Sequence, residues 1–202
     1  NCGGSFGFHL KKAGYDVTVF EKEAQAGGAI KLIPDYAGHK AVVQEEIEKL
    51  QAMGVNFVFG KEITSASEVS GFDGCFVATG SWEKAGEAVD TMDFLAENKA
   101  VSGTVAVEGP GFAAIHAARS AVRLGASKVI LLWPVQKPKS RGLSELLTLA
   151  TEEGVTILER AKPVSLKDGL LAATVDGMEI TLPCNQLIAA GNRKASDFAE
   201  DT

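Results

Sequence analysis

Short apolar runs alternate along the chain with longer segments whose apolar residues recur every three or four positions. The strand-like runs are residues 15–21, 55–59, 72–77, 104–108, 128–133, 155–158 and 187–190, and the helical pattern covers residues 5–14, 41–53, 112–124 and 144–153. Strands and helices that alternate at these lengths indicate parallel α/β layers. Asp176-Gly177, between the apolar segments 170–175 and 178–182, predicts a β-hairpin inserted in the second half.

A glycine-rich turn joins the strand-like run 104–108 to the helical segment that follows it. Gly109-Pro110-Gly111-Phe112-Ala113-Ala114 matches the GxGxxG/A fingerprint of dinucleotide-binding βαβ units. Gly109 would permit the tight turn, Gly111 would let a pyrophosphate approach the backbone, and Ala114 would let helix and strand pack closely. Phosphate would bind at the helix N-terminus. A tight βα turn without a ligand is the alternative that the motif leaves open.

The end of the next strand normally distinguishes NAD from NADP. An acidic residue there binds the ribose hydroxyls of NAD, and an arginine nearby accommodates the 2′-phosphate of NADP. This chain has Trp133-Pro134-Val135-Gln136 at that point, which is neither. Lys137, Lys139 and Arg141 follow and could reach a phosphate, although a solvated loop explains them equally well. The sequence therefore predicts a nicotinamide nucleotide without choosing between NADH and NADPH.

The first half carries part of a second fingerprint. Gly3 precedes Glu21 by roughly the 20 residues that separate a glycine loop from its acidic ribose ligand. Gly3 would be the last glycine of the loop, and Glu21 ends a β-branched and aromatic run. A surface carboxylate at a strand end is the alternative for Glu21. We expect the first strand and two glycines to precede residue 1, and the chain to be truncated at both ends.

Two fingerprints in this order predict two tandem Rossmann-like βαβ domains with parallel sheets, an FAD/NAD(P)-binding α/β fold. We expect a partial FAD-binding domain over residues 1–95 and an NAD(P)-binding-like domain, with the hairpin insertion, over residues 96–190. Residues 191–202 would return to the first domain. The linker between the halves is expected within residues 82–103.

Several segments resemble the glutamate synthase small-subunit family, which also includes the flavin domain of dihydropyrimidine dehydrogenase. The similar segments are Gly14-Tyr15-Asp16-Val17-Thr18-Val19-Phe20-Glu21-Lys22 with Gly27-Gly28, Ile33-Pro34-Asp35-Tyr36, Glu45-Glu46-Ile47-Glu48, Met53-Gly54-Val55, Phe76-Val77-Ala78-Thr79-Gly80, Ala117-Ala118-Arg119, Arg123-Leu124-Gly125-Ala126, and Leu182-Pro183 with Leu187-Ile188-Ala189-Ala190-Gly191. The resemblance covers nearly the whole chain.

The resemblance implies a flavin-dependent oxidoreductase, or a fragment of one. Electrons would pass between NAD(P)H and a partner redox centre through FAD, with an iron–sulfur or other redox subunit as the partner. It places FAD against Gly3, Glu21, Lys22, Gly27, Gly28, Ile33, Pro34, Ala78, Thr79 and Gly80. It places NAD(P) against Gly109, Gly111, Ala114, Ala190, Gly191 and Asn192.

Three positions depart from the family pattern. Pro134 and Val135 replace its arginine pair, and Phe112 replaces the asparagine that usually follows the glycine turn, near the expected pyrophosphate. A second hypothesis therefore stays open, namely a degenerate, cofactor-free domain that is a structural subunit of a larger redox complex. Flavin chemistry itself requires no side-chain nucleophile, so we predict no catalytic residue of that kind.

Composition narrows the class of protein further. The formal net charge is -6 and no basic run occurs, so a nucleic-acid-binding surface has no electrostatic support. The longest apolar run, residues 129–133, is far shorter than the ~20 residues of a membrane span. Cys2, Cys75 and Cys184 are isolated from one another, so we predict no metal site. Isolated cysteines also fit a reducing cytoplasm better than a disulfide scaffold.

Overall fold

The computed structural model describes residues 2–38, 40–81, 88–136, 140–190 and 198. These residues divide into two compact units, one made of residues 2–81 with residue 198 and the other of residues 88–190. In both units helices alternate with parallel strands. The α/β class with parallel sheets that the sequence predicts is therefore confirmed.

The first unit contains two helices and a pair of parallel strands. Its elements are α1 (Cys2–Lys12), β1 (Thr18–Glu21), α2 (Lys40–Ala52) and β2 (Asn56–Phe59), with short 3-10 helices at Gly28–Leu32, Asp35–Ala37 and Ala66–Val69. Strand β1 pairs with β2 from Thr18–Asn56 to Glu21–Phe59. A Cβ atom on the buried Gly7 would lie 3.6 Å from Val17 Cγ1, so a small residue lets α1 pack closely on the chain that enters β1.

The strand predicted over residues 72–77 is absent from the described part of the chain. Residues 74–81 have no regular secondary structure and are exposed. Rings anchor this stretch instead, because Phe76 stacks on Phe6 with 4.0 Å between centroids and Phe72 packs edge-on against Phe20 at 5.8 Å. A β-propensity run becomes a strand only where another strand completes its hydrogen bonds. The prediction for residues 72–77 was wrong because it rested on β-propensity alone and did not consider whether a neighbouring strand was present.

The second unit is a five-stranded parallel sheet with helices and a separate antiparallel sheet. Its elements are β3 (Val89–Asp90), α3 (Thr91–Glu97), β4 (Thr104–Glu108), α4 (Phe112–Arg123), β5 (Lys128–Trp133), α5 (Arg141–Glu152), β6 (Val155–Glu159), β7 (Ala161–Lys167), β8 (Leu170–Val175), β9 (Met178–Pro183) and β10 (Gln186–Ala189). The parallel sheet has the order β3-β10-β4-β5-β6, and the antiparallel sheet has the order β7-β8-β9.

Both faces of the parallel sheet are covered. On one face Val105, Val107 and Leu131 pack against α4, whose sheet-facing residues include the fully buried Ala114 and Ala118. Small side chains at those positions let the helix axis approach the sheet closely. On the other face the fully buried Ala106 and Leu132 lie in one cluster with residues 171 and 173 of β8. A strand that is buried on both faces reads as an uninterrupted apolar run, as β5 does.

Two features of the second unit differ from the sequence-based expectation. Residues 88–97 were expected within a linker, yet they form β3 and α3, and the buried Phe94 joins the core. Asp90 caps α3, because its Oδ1 accepts a hydrogen bond of 2.8 Å from the Met92 N–H. The predicted hairpin at Asp176-Gly177 is confirmed as β8–β9. Strand β7 extends the hairpin to three strands. The sequence of residues 161–167 does not predict this strand, because Pro163 and two lysines interrupt its apolar pattern.

Candidate functional site

The glycine turn after β4 is packed so tightly against its neighbours that only glycine fits at its first position. Gly109 has a φ of 138°, a region that side chains rarely adopt. A Cβ atom there would lie 2.5 Å from the Cβ of Ala190 and 3.5 Å from the Cβ of Ala114. The structure therefore brings together three of the residues predicted to hold the nicotinamide nucleotide: Gly109, Ala114 and Ala190.

Gly111 occupies the N-cap of α4 and faces open space. Its φ is 116°, no side chain caps the helix, and a Cβ atom at this position would meet nothing within 4 Å. The first N–H groups of a helix have no partner inside the helix, and with the helix dipole they favour an anion. An uncapped helix start beside open space fits a pyrophosphate. Phe112 lies at the same turn, with its side chain 55% exposed.

The turn lies where the sheet order reverses. Strands β4, β5 and β6 follow one another in one direction, whereas β10 pairs with the opposite side of β4. Glu108 and Ala189 end the two neighbouring strands, and the Ala190 N–H donates to the Glu108 carbonyl over 2.8 Å. Open α/β sheets bind ligands at the carboxyl ends of their strands, at such a switch point. Gly191 and Asn192, which the sequence predicts nearby, lie outside the described residues.

The carboxylate of Glu108 was missed by the sequence reasoning. It is half-buried at the end of β4, directly before the glycine turn. Burial raises the pKa of Glu108, and the positive charge of Lys162 acts in the opposite direction. A carboxylate at the end of an otherwise buried apolar strand is the signal that could have identified it.

The segment after β5 is held in place by two hydrogen bonds. The indole N–H of Trp133 donates to the Gln136 carbonyl over 3.3 Å, and the Arg160 N–H donates to the Val135 carbonyl, also over 3.3 Å. Of the predicted phosphate-reaching cations, Arg141 begins α5 and forms an ion pair of 2.7 Å with Glu145. Lys137 and Lys139 lie outside the described residues.

In the first unit, the predicted ribose ligand lies at the carboxyl end of β1. Glu21 is half-buried, and its Oε1 accepts a hydrogen bond of 3.1 Å from the Glu23 N–H. Gly3 lies in the first turn of α1, the helix that precedes β1. Lys22 is exposed and lies 3.7 Å from Glu62. Glu21 thus lies at the strand end at which a dinucleotide fold holds the ribose, and Gly3 lies in the helix before that strand.

Gly27 precedes the first 3-10 helix as its N-cap and Gly28 begins that helix, and both have a positive φ, of 122° and 53°. A Cβ atom on Gly27 would lie 2.9 Å from Lys31 Cγ and 3.0 Å from Val43 Cγ1, so this buried position requires glycine. A cavity of ≈ 280 Å³ adjoins it, lined by Gln25, Ala26, Lys31, Val43 and Gln44. Its volume is at the lower end for a ligand pocket, so it would admit only part of a flavin nucleotide.

The remaining predicted FAD residues lie in two other places in the first unit. Ile33 and Pro34 follow the first 3-10 helix and are half-buried. Ala78, Thr79 and Gly80 belong to the exposed stretch that has no regular secondary structure. The first unit thus has a half-buried carboxylate at the end of β1 and a small cavity beside Gly27.

Two kinds of site find no support within the described ranges. Residues 2–38, 40–81, 88–136 and 140–190 contain no group of three His, Cys, Asp or Glu side chains that could hold a metal ion. None of the helices described there is long and apolar enough to cross a membrane.

Several curated proteins are similar to the chain, although no protein-family model matches it. It is 30% identical over 192 residues to the NADP(+)-dependent formate dehydrogenase subunit beta of Moorella thermoacetica, covering 82% of this chain and 26% of that protein. A protein of Cereibacter sphaeroides assigned as a glutamate synthase [NADPH] small chain is 28% identical, with 76% and 44% covered. An NAD-dependent dihydropyrimidine dehydrogenase subunit of Escherichia coli O157:H7 is 25% identical, with 95% and 52% covered. These matches confirm the resemblance predicted from the sequence.

Solved structures of oxidoreductases share the fold. Histamine dehydrogenase from Rhizobium sp. 4-9 superposes with a TM-score of 0.78 at 21% identity, over 96% of this chain and 33% of that one. A flavoprotein disulfide reductase from Escherichia coli gives a TM-score of 0.54 at 14% identity, over 96% and 55%. These likenesses confirm the Rossmann-like architecture. The chain spans between about a quarter and a half of the length of the three curated relatives described above.

Proposed function

We propose that this chain, a relative of the glutamate synthase small chain and of a dihydropyrimidine dehydrogenase subunit, is part of a flavin-dependent oxidoreductase. It would transfer electrons between NAD(P)H and a partner redox centre through FAD. The observation that carries the proposal is the glycine turn at the switch point of the second unit, with an uncapped helix start beside open space. The relatives are named as oxidoreductases or their subunits, which supports a redox role in general.

The roles of the residues follow from the chemistry of the two nucleotides. When bound, nicotinamide and flavin supply the redox chemistry, and the protein supplies binding and orientation. The N–H groups at the start of α4 would bind the pyrophosphate of NAD(P)H, with Gly109 and Gly111 allowing its approach. Ala190 keeps that turn narrow, because its Cβ atom leaves no room for a side chain at Gly109, and Ala114 lies in ordinary contact distance of the same position. Gly191 and Asn192 remain predicted contacts.

For FAD, Glu21 would accept hydrogen bonds from the adenosine ribose, and Gly3, as the last glycine of the fingerprint, would lie near phosphate. The predicted flavin contacts beyond these two are Lys22, Gly27, Gly28, Ile33, Pro34, Ala78, Thr79 and Gly80. We propose residues 1–95 as the partial FAD-binding domain, residues 96–190 as the nucleotide domain, and residues 191–202 as a return segment. An iron–sulfur or other redox subunit is the proposed partner, and the cytoplasm the proposed location.

Titration of the full-length protein tests the two cofactors separately. Calorimetry with NADPH and NADH should show saturable binding of at least one of them, and added FAD should bind with quenching of its fluorescence. Binding of a nicotinamide nucleotide without FAD would leave the second unit functional and remove the flavin part of the proposal. No binding of either nucleotide or of FAD would favour the second candidate described next.

The second candidate is a cofactor-free structural subunit of a larger redox complex. Phe112 favours it, because a bulky exposed ring stands at the turn where pyrophosphate would bind. The segment after β5 also lacks an acidic ribose ligand. Saturable calorimetric binding of NADH or NADPH would exclude this candidate.

Glu21→Gln should weaken FAD binding about tenfold, because hydrogen bonds to a charged group contribute about 1.5–3 kcal/mol each. The measurement is a fluorescence titration of the full-length protein with FAD. Glu23→Gln is the matched control, since Glu23 is an exposed carboxylate two positions away whose main-chain N–H, not its side chain, contacts Glu21. Equal FAD affinity in the two variants would remove Glu21 from the proposed site.

A further inference from the structure

Arg160, at the end of β6, lies beside the segment that follows β5. Pro134, Val135 and Gln136 follow the strand, and none of them is charged. The chain returns to this place at the end of β6, where the Arg160 N–H donates to the Val135 carbonyl over 3.3 Å. Arg160 is therefore the next-strand neighbour of the position that distinguishes NAD from NADP in dinucleotide-binding folds.

The side chain of Arg160 is held at this corner. Its Nε and Nη2 atoms donate to the two carboxylate oxygens of Asp176, the second of these bonds being 2.8 Å long. The Asp176 N–H in turn donates to the Arg160 carbonyl over 3.2 Å, which fastens the β8–β9 turn to the end of β6. Both side chains remain about half exposed. A guanidinium has five N–H donors, so the Asp176 contacts leave donors for another anion.

We propose that Arg160 is a specificity-determining cation of the nucleotide site, and that it favours NADP(H) by binding the 2′-phosphate of the adenosine ribose. This inference rests on the proposed nucleotide function of the second unit. A phosphate accepts guanidinium hydrogen bonds well, and such bonds are among the strong ones. None of the described residues after β5, which are Pro134, Val135 and Gln136, has a carboxylate that would repel a 2′-phosphate or bind a free 2′-hydroxyl.

Asp176 restrains this cation. Its carboxylate shares the guanidinium with any bound phosphate, and its negative charge opposes a second anion. Glu159, at the end of β6, adds to the negative charge around Arg160. Removing the Asp176 carboxylate should therefore strengthen binding of a 2′-phosphorylated nucleotide, whereas removing the Arg160 guanidinium should weaken it.

Calorimetry on the full-length protein can isolate the 2′-phosphate. The probes are NADPH with NADH, and 2′,5′-ADP with 5′-AMP, two pairs whose members differ by that phosphate. Wild type should bind the phosphorylated member of each pair about tenfold more tightly. Arg160→Asn should remove most of this preference and change NADH affinity less than about twofold. Asparagine suits the site because Arg160 has a φ of 50°, a left-handed conformation that asparagine tolerates.

Two further variants complete the test. Asp176→Asn should raise the affinity for 2′,5′-ADP and leave that for 5′-AMP unchanged. Lys128→Gln is the charge-matched control, because this exposed lysine lies at the opposite, amino end of β5. Thermal unfolding of each variant, followed by circular dichroism, shows whether it is folded.

The outcomes separate this inference from the function on which it rests. If NADPH and NADH bind equally and Arg160→Asn changes neither, the role of Arg160 is wrong while the nucleotide site stands. A loss of NADH and NADPH affinity together in folded Arg160→Asn would also overturn it, since that pattern shows a general effect on the site. If wild type binds neither nucleotide, the proposed function fails, and the specificity of Arg160 fails with it.

Discussion

Gly109→Val is expected to abolish nucleotide binding and to lower the free energy of unfolding of the second unit by about 3 kcal/mol. A Cβ atom at this position would lie 2.5 Å from the Cβ of Ala190, a distance that side chains do not tolerate. The φ of 138° adds backbone strain for any residue other than glycine. Overpacking and strain each cost about 1–3 kcal/mol. Urea unfolding followed by circular dichroism gives the stability, and calorimetry gives the nucleotide affinity.

Gly154→Val is the matched control for this experiment. Gly154 also has a positive φ, of 95°, but a Cβ atom there would meet nothing within 4 Å. It follows α5 and lies before β6, at the amino edge of the sheet rather than at the nucleotide turn. The control should lose stability through strain alone and retain its nucleotide affinity. Equal destabilisation of the two variants would show that close packing against Ala190 does not matter.

The same turn shows how much the sequence can predict. A strand, a GxGxxA turn and a helix followed one another in the sequence, and the structure has β4, the turn and α4 in those places. The local information suffices there because the apolar runs are long and glycines are required at fixed positions. Strand β5 was predicted for the same reason, since a strand buried on both faces carries an unbroken apolar pattern.

Elements that depend on a distant partner could not be predicted in this way. The run 72–77 has the composition of a strand, but the described part of the chain gives it only ring contacts. Residues 89–90 are the opposite case. These two residues form β3 because β10 lies beside them and pairs with them. Hydrogen-bond partners far along the chain decide both cases, and no periodicity within either segment contains that information.

The candidate site divides in a similar manner. Gly109, Ala114 and Ala190 were predicted, the first two from a local motif and the third from a resemblance, and the structure brings them close together at the glycine turn. Arg160 was not considered, because the Val135 carbonyl that receives its N–H is far from it along the chain. A residue that acts from a neighbouring strand becomes visible only when the strand order is known.

The helix that carries the glycine turn is fastened at its other end by a cluster of charges. Glu153, which caps α5, accepts hydrogen bonds from Arg119 Nε over 2.8 Å and from Arg123 Nη2 over 2.7 Å. Arg119 is 7% exposed, so its charge depends on this carboxylate for compensation. The hydrogen bonds from Arg119 and then from Arg123 lower the pKa of Glu153 from 4.5 to about 2.

Glu153→Gln is therefore expected to lower the free energy of unfolding at neutral pH by about 2 kcal/mol. A pKa shift of this size corresponds to roughly 3 kcal/mol, and water screening at the exposed Arg123 reduces it. Because the folded pKa lies below the unfolded value, the stabilisation is fully present above pH 4.5 and is lost as the pH falls towards 2. The difference between wild type and variant should shrink over that interval.

Urea unfolding of both proteins at several pH values between 2 and 7 measures this difference. Glu152→Gln is the control, since Glu152 is exposed at the end of the same helix and this substitution removes the same formal charge. It should change stability by less than about 0.5 kcal/mol at every pH. If the loss in Glu153→Gln is equally large at pH 2 and pH 7, the carboxylate's charge is not what holds α4 to α5. The shape of the side chain would not explain such a loss of stability either, because glutamine has nearly the same shape as glutamate.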